Sequence, residues 1–242
     1  MKEYLYDPHV HTSETSLCGR IPAKTVVELY HAKGYAGLVV TDHLHESYIS
    51  SLDCRDDWDA CVDRFLIGYN AAKQRGAELG VDVLLGAELR FEQDSNNDYL
   101  VYGIDDAFLK RNPYLHRMGP QNFFDTFQNE VLIIHAHPYR GQHGPIRYDC
   151  VHGIEYINCN LRHENGNDQA LALCMENPHL FRTCGSDTHR PGDEGRAAMI
   201  FGARLFESRD YKRAVEQRAY TVKCDDFKDL IATCNAHFGG RN

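Results

Sequence analysis

The chain has 242 residues, a length that suits one α/β domain, and no linker divides it, so residues 1–242 are expected to form a single unit. Its formal net charge of −9 argues against a general nucleic-acid binder, which presents a basic face, while 43% hydrophobic and 25% charged residues fit an ordinary globular protein. No run of apolar residues is long enough to span a bilayer, and the opening MKEYLYDPHVH lacks the apolar stretch and cleavage site of a secretion signal. In chain order, a strand is expected at Tyr4–Asp7, then a helix through PAKTVVELYHAKG, with Pro22 near its start and Gly34 past its end. Gly37–Thr41 reads as the second strand, and a long helical pattern, DDWDACVDRFLIGYNAAKQRGAELG, leads to a third at Val83–Ala87. Glu92–Asp98 reads as a loop, Tyr99–Ile104 as a strand, Gln121–Asn129 as a helix and Val131–Ala136 as a strand. Arg140–Tyr148, with Gly141, Gly144 and Pro145, reads as a loop able to move over a site. A strand at Ile154–Asn158, a helix at Asn167–Glu176, a strand at Arg182–Gly185 and helices at Asp210–Gln217 and Phe227–Ala236 complete the pattern. Alternating strands and helices imply βαβ units and a mainly parallel sheet. About seven strands suggest an irregular barrel, with an open doubly wound sheet as the structural alternative.

Polar residues cluster at the ends of these strands. Asp7, His9 and His11 end or follow the first, Asp42 and His43 the second, Glu88 the third; His135 and His137 close VLIIHAHP, and Asp187 and His189 follow TCGS. In a parallel barrel the C-terminal strand ends open on one face, so these side chains are expected at one mouth. His9 and His11 are spaced i, i+2 and share a face of an extended chain. Each signal is weak alone: TDH and GSDTH also suit helix caps, and Asp42 is expected to accept backbone N–H bonds in that way. Capping does not call for histidine, however, and histidine recurs at these ends. The conjunction reads as a metal centre built from His9, His11, His43, Glu88, His137, Asp187 and His189. This nitrogen and oxygen set suits Zn²⁺, Mn²⁺ or Fe²⁺ and is too large for one tetrahedral ion, so two or three divalent transition-metal ions are expected. The nine cysteines lie scattered without a CxxC pair, and most read as small buried residues in a reducing cytoplasm.

The stretches DPHVHT, VVTDH, GAE, AHP and GSDTH, in this order from Asp7 to His189, resemble the PHP family (polymerase and histidinol phosphatase) over essentially the whole chain. The resemblance implies a distorted (β/α)7 TIM-like barrel with its metals at the C-terminal strand ends. Members hydrolyse phosphate esters, including histidinol phosphate and nucleotides, and some act as exonucleases attached to polymerases. It matches His9, His11, Glu88 and Asp187 to the ligands of a first metal, His43 and His189 to a second, and His137, with Glu88 bridging, to a third. Two positions depart from the pattern. Many members carry a further His or Asp shortly after HxH, where this chain reads TSETSLCG; Glu14 or Cys18 could stand in, but Leu17 cannot. Many also carry a His on the fourth strand, where Asp98 or Tyr99 falls here.

The expected chemistry is attack of a metal-activated water on phosphorus. Asp187 would orient that water or take its proton, and His189 and His135 are candidate general acids where they are not themselves ligands. Arg140, directly after AHPY, is the candidate phosphate clamp, with Arg20 and Arg162 behind it. His45, His143 and His163 read as surface residues near the mouth. The expected partner is a small-molecule phosphate ester, not a nucleic acid or a membrane. The competing readings are a nuclease, a metal-dependent C–N hydrolase, and a regulatory metal-binding protein without strong catalysis.

Overall fold

The computed structural model describes residues 2–141 and 146–239; His143, Gly144 and Pro145 of the expected loop lie outside them. The elements in chain order are β1 (Tyr4–Val10), α1 (Ala23–Ala32), β2 (Gly37–Val40), β3 (His43–Leu44), α2 (Glu46–Ser50), α3 (Trp58–Phe65), α4 (Ile67–Leu79), β4 (Asp82–Leu85), β5 (Ala87–Leu89) and β6 (Asp98–Tyr102). There follow α5 (Asp106–Arg111), α6 (Pro120–Phe127), β7 (Leu132–Ala136), β8 (Gly153–Asn158), α7 (Asn167–Glu176), β9 (Phe181–Gly185), β10 (Ala197–Phe201), α8 (Ser208–Glu216), β11 (Tyr220–Cys224) and α9 (Lys228–Phe238). All the expected strands are present, and β3, β10 and β11 are additional. The expected long helix is broken at Leu66, where α3 ends and α4 begins.

Two sheets result, one in the order β11-β10-β1-β2-β4 and one in the order β3-β5-β6-β7-β8-β9. The strands β1, β2, β7, β8 and β9 are buried along their length on both faces, apart from the first residues of β1 and β9, and β2 and β7 are near-continuous apolar runs. β11 is different: its residues alternate buried and exposed, as expected for an edge strand with one wet face. Outside the first sheet, α1 buries Ala23, Val26, Val27 and Tyr30, the i, i+3, i+4, i+7 stripe of an amphipathic helix.

The expected parallel order holds for β1-β2-β4 and for β7-β8-β9, and β3 is parallel to β5. The departure is β6, which runs antiparallel to both β5 and β7, and β10, antiparallel to β1 and β11. The segment 90–97 between β5 and β6 is a short excursion with one 3-10 turn, Glu92–Asp94. It holds no crossover helix, so the chain returns as a hairpin. This reversal matters for the site. The N-terminal end of β6, at Asp98, meets Ala136 at the C-terminal end of β7.

The expected third strand, Val83–Ala87, is split at Gly86 into β4 and β5, which belong to different sheets. A side chain is excluded there: a Cβ on Gly86 would lie 2.9 Å from Thr41 Cγ2 and 3.1 Å from Val39 Cγ1. At the other side, β9 runs on to Thr188, which bridges Val10 of β1 in parallel. Gly86→Val should therefore overpack the junction and lower the unfolding free energy by about 1–3 kcal/mol. Urea denaturation of metal-free protein, read as a fall in midpoint at constant slope, checks this.

Candidate metal centre

Every expected ligand lies at the end of a strand or just beyond one. His9 is in β1 and His11 follows it; His43 begins β3 and pairs in register with Glu88 of β5; His137 follows β7; Asp187 and His189 follow β9. Parallel direction brings these ends to one place. The Glu88 carboxylate, 1% exposed, is shared among four imidazoles. Its Oε1 lies 3.5 Å from His9 Nε2 and 3.0 Å from His137 Nε2, and its Oε2 lies 3.2 Å from His11 Nε2 and 3.0 Å from His43 Nδ1. Asp187 Oδ1 faces His9 Nε2 at 3.5 Å, His11 Nε2 at 3.4 Å and His189 Nδ1 at 3.1 Å.

These separations match donors around a common ion. Two atoms each about 2.1 Å from one tetrahedral ion lie about 3.4 Å apart. The hydrogen-bond pattern points the same way. His9 Nε2, His11 Nε2, His43 Nδ1, Glu88 Oε2 and Asp187 Oδ1 are all buried without an aligned hydrogen bond. Buried polar atoms are normally satisfied, so convergent unsatisfied donors call for a cation at their centre. The residues present therefore fit divalent metal binding.

Further side chains orient these ligands. Glu155, 1% exposed on β8, accepts from His9 Nδ1 at 2.8 Å through Oε1 and from the His137 amide at 3.0 Å through Oε2. That bond fixes the His9 tautomer and leaves Nε2 with its lone pair toward the cluster. Gly185 makes the approach feasible: a Cβ there would lie 2.5 Å from His9 Cβ and 2.6 Å from Glu155 Oε1. On the other side, Ser16 Oγ lies 3.0 Å from His11 Nδ1 and donates to Asp42 Oδ1 at 2.7 Å. Asp42 also accepts from the Thr12 amide at 2.7 Å and the Thr12 hydroxyl at 2.6 Å. It thus does the structural work expected of it, clamping the loop after β1 in place of a helix end. Two site residues, His137 (φ 28°) and Asp187 (φ 52°), hold left-handed backbone, a conformation costly for residues with a side chain and frequent at functional sites.

A cavity of about 270 Å³ opens over the cluster, lined by His43, Glu88, His137, Asp187 and His189 together with cationic side chains. Arg140 is among them, but its Nη2 donates to Asp187 Oδ2 at 2.6 Å and to Asn158 Oδ1 at 2.8 Å, and its Nε to Asn165 at 2.8 Å. Arg162 also lines the cavity and pairs with Asp193, whereas Arg20 is exposed and away from it. His163 lines the cavity; His45 caps α2, accepting from the Tyr48 amide at 3.1 Å. His135 is not brought to the cluster. It is buried against Tyr99, at 5.1 Å between ring centroids, and lies 3.2 Å from Asn97 Oδ1. At the fourth-strand position Asp98 groups with His43 and Glu88 but also holds Arg90 in a bidentate pair at 2.7 and 2.8 Å, while the Tyr99 hydroxyl turns to Asp94. Glu155, Asn158 and Arg90 were not anticipated. A glutamate inside the apolar run GIEYIN was the available signal for the first.

Burial alone would raise the carboxylates. The charges of His43 and His9 outweigh it and hold Glu88 well below the usual range, and those of His9 and Arg140 do the same for Asp187. Reciprocally, burial would lower the imidazoles, yet Glu88 holds His43, and Glu155 with Asp187 and Glu88 holds His9, well above the ordinary value.

No family model matches the chain, and no curated protein matches it in sequence. Solved structures share its fold. A two-domain protein from Bacteroides vulgatus, described as containing a predicted PHP-like metal-dependent phosphoesterase, aligns with a TM-score of 0.65 at 15% identity, covering 96% of this chain and 70% of that one. PsfC from Pseudomonas syringae aligns at 0.59 and 18% identity over 99% of both chains. An amidohydrolase from Chromobacterium violaceum, with bound sulfate and no metal, aligns at 0.52 and 16% identity over 90% of this chain and 97% of that one. The chain therefore has a PHP-like fold.

Two outcomes follow from the geometry. Glu155→Gln should weaken metal binding by roughly 10- to 100-fold while leaving all the cluster's donors in place. Titration against a chelator of known affinity measures it, and unchanged affinity would contradict the orienting role. The second concerns protons. Burial would lower His9 and His43, but the carboxylates around them hold both above the ordinary histidine value, which favours their protonated forms in metal-free protein. A metal takes only the neutral imidazole, so loading must release protons and affinity must fall as pH falls. Adding Zn²⁺ to unbuffered metal-free protein at pH 7 should acidify the solution, and a flat pH-stat trace would refute the assignment.

Proposed function

We propose that this chain is a metal-dependent phosphoesterase that hydrolyses a small phosphate ester. The observation that carries the reading is the convergence of five buried, unsatisfied donor atoms from His9, His11, His43, Glu88 and Asp187 beneath an open cavity. His9, His11, Glu88 and Asp187 would hold a first ion, His43 and His189 a second, and His137, sharing Glu88, a third. Bound zinc, manganese or iron would acidify a water and neutralise charge on phosphate oxygens. The chain's own residues do the rest. Glu88 spans the imidazoles with both oxygens and fixes their separation. Asp187 and His189 would face the reacting atoms, Asp187 orienting the attacking water while Arg140 holds its Oδ2 at 2.6 Å. Arg140 presents its remaining guanidinium edge to the cavity as the substrate clamp.

The two sheets are read as a distorted (β/α)7 barrel, a reading supported by the β4–β5 junction at Gly86 and the Val10–Thr188 bridge. A cytoplasmic location is supported by the nine cysteines, all free, which suit a reducing compartment. No described helix is long and apolar enough to cross a membrane. The net charge of −9 disfavours gripping a long phosphate backbone, so a nuclease is the lesser reading. Hydrolysis of a C–N bond is the other, supported by the amidohydrolase among the similar folds.

The test is metal-loaded protein at one metal concentration on an aryl phosphate, a nucleotide panel, a labelled oligonucleotide and an N-acyl amide. The phosphate monoesters should give the highest kcat/KM. A best rate on the oligonucleotide or the amide selects the corresponding alternative, and less than about half an equivalent of bound metal after reloading removes the metal reading altogether. Arg140→Ala should lose roughly 10- to 100-fold in kcat/KM on the best ester, the worth of a charge-assisted hydrogen bond. An unchanged value would show that Arg140 serves Asp187 alone.

A further inference from the structure

We propose that Cys18 is a metal ligand, its sulfur joining His43 and His189 in a soft cation site beside the carboxylate-rich one. The proposal rests on the metal reading above and adds a donor from the loop that follows β1. Of the residues in that loop, the other candidates are committed elsewhere. Both Glu14 carboxylate oxygens accept from the Ala23 amide, at 3.0 and 2.9 Å, and so cap α1. The Thr15 hydroxyl donates to the Phe65 carbonyl at 3.0 Å, and Leu17 is 63% exposed. Cys18 turns the other way: its sulfur lies 3.2 Å from His189 Nε2, and the residue lines the cavity over the cluster together with His43.

That placement is built into the backbone. The Arg20 amide donates to the His189 carbonyl at 2.8 Å, tying the Cys18 loop to the segment after β9. The His43 amide donates to Ser16 Oγ at 3.0 Å, tying it to β3. The turn closes through the Gly19 amide on the Ser16 carbonyl at 2.9 Å, and a Cβ on Gly19 would lie 2.6 Å from the Thr12 carbonyl oxygen. Sulfur and the two imidazoles therefore hold a fixed relation.

A second observation points to a cation there. His11, His43 and His189 each present a ring nitrogen within 4.8 Å of the others, and His11, wholly buried, leaves Nε2 without a partner. Donors bound to one tetrahedral zinc at about 2.3 Å for sulfur and 2.1 Å for nitrogen lie about 3.6 Å apart. The observed contact between Cys18 and His189 is slightly shorter, as a hydrogen bond awaiting replacement by an ion would be. On binding, the thiol proton leaves to solvent and a sulfur–metal bond forms. Thiolate favours zinc, cobalt or ferrous iron and disfavours magnesium, so the two parts of the centre differ in preference.

Cobalt reports on this directly. Wild-type protein loaded with Co²⁺ should show a sulfur-to-cobalt charge-transfer band in the near ultraviolet, and Cys18→Ser should lose that band while still taking up cobalt at the carboxylate-rich site. Alkylation of wild type by iodoacetamide, mapped by peptide mass, gives a readout that needs no variant. Cys18 is the exposed thiol, and it should be modified in metal-free protein, protected by Co²⁺ or Zn²⁺, and left unprotected by the same concentration of Mg²⁺. Cobalt bound without the band or the protection overturns the thiolate ligand and leaves the metal centre standing. So does a band that survives in Cys18→Ser. Protein that binds no cobalt overturns both.

Discussion

The buried Glu88 carboxylate is the constraint on which the rest of the site depends. A lone ionised carboxylate taken out of water costs several kcal/mol, and nothing apolar can relieve it. Here each oxygen faces two imidazole nitrogens, and those imidazoles come from three separate strand ends and the loop after β1. The charge is tolerable only when cations fill the space between. Protons on the histidines can do this in metal-free protein, and divalent ions do it better, since one ion serves several donors at once. The chain direction in β1, β3, β5 and β7 follows from that need, because strands running otherwise would deliver their ligands to opposite ends.

Around this hub lies a shell of groups whose only evident role is aim. Asp42 gathers the Thr12 amide and hydroxyl and Ser16, and Ser16 in turn reaches His11 and the His43 amide. Glu155 reaches His9, the His137 amide and Asn158, whose amide also touches Asp187 at 3.3 Å. The two networks grip the cluster from opposite flanks. They also account for the left-handed backbone at His137 and Asp187: such residues persist where surrounding bonds over-determine them, and both sit on the Glu155–Asn158–Arg140 side.

The sequence made the candidate ligands legible because capping at a strand end can be met by Asp, Ser or Thr, yet histidine recurs at four of the five ends. The apolar runs likewise located the strands. Direction was not legible: a run such as DYLVY has the same periodicity whichever way it is threaded, so the reversal of β6 appears only with the short 90–97 segment in view. That reversal is why Asp98, at the beginning of the strand, lies beside His43 and Glu88. The break of the third strand at Gly86 was hidden for a related reason, since a glycine in an apolar run says nothing about which neighbour approaches it. Cys18 and Glu14 were indistinguishable as stand-ins until the α1 cap claimed the glutamate.

The rim of the cavity explains how an acidic protein can attract an anion. Four arginines line the opening, and three of them are matched by a carboxylate: Arg90 by Asp98, Arg140 by Asp187 and Arg162 by Asp193; the fourth is Arg190. Their fields are largely cancelled at a distance, in keeping with a net charge of −9, and a long polyanion finds no continuous positive track. What paired arginines retain is short-range direction, through N–H groups already held in place by their partners. On the proposed reading, attraction therefore falls to ions at the bottom of the cavity, and the arginines select the orientation of a group small enough to reach them. A cavity of about 270 Å³ admits such a group and not the flank of a duplex. Charge pairing at the rim and unpaired donors at the floor are thus two halves of one arrangement, in which the decisive positive charge is the one the protein binds.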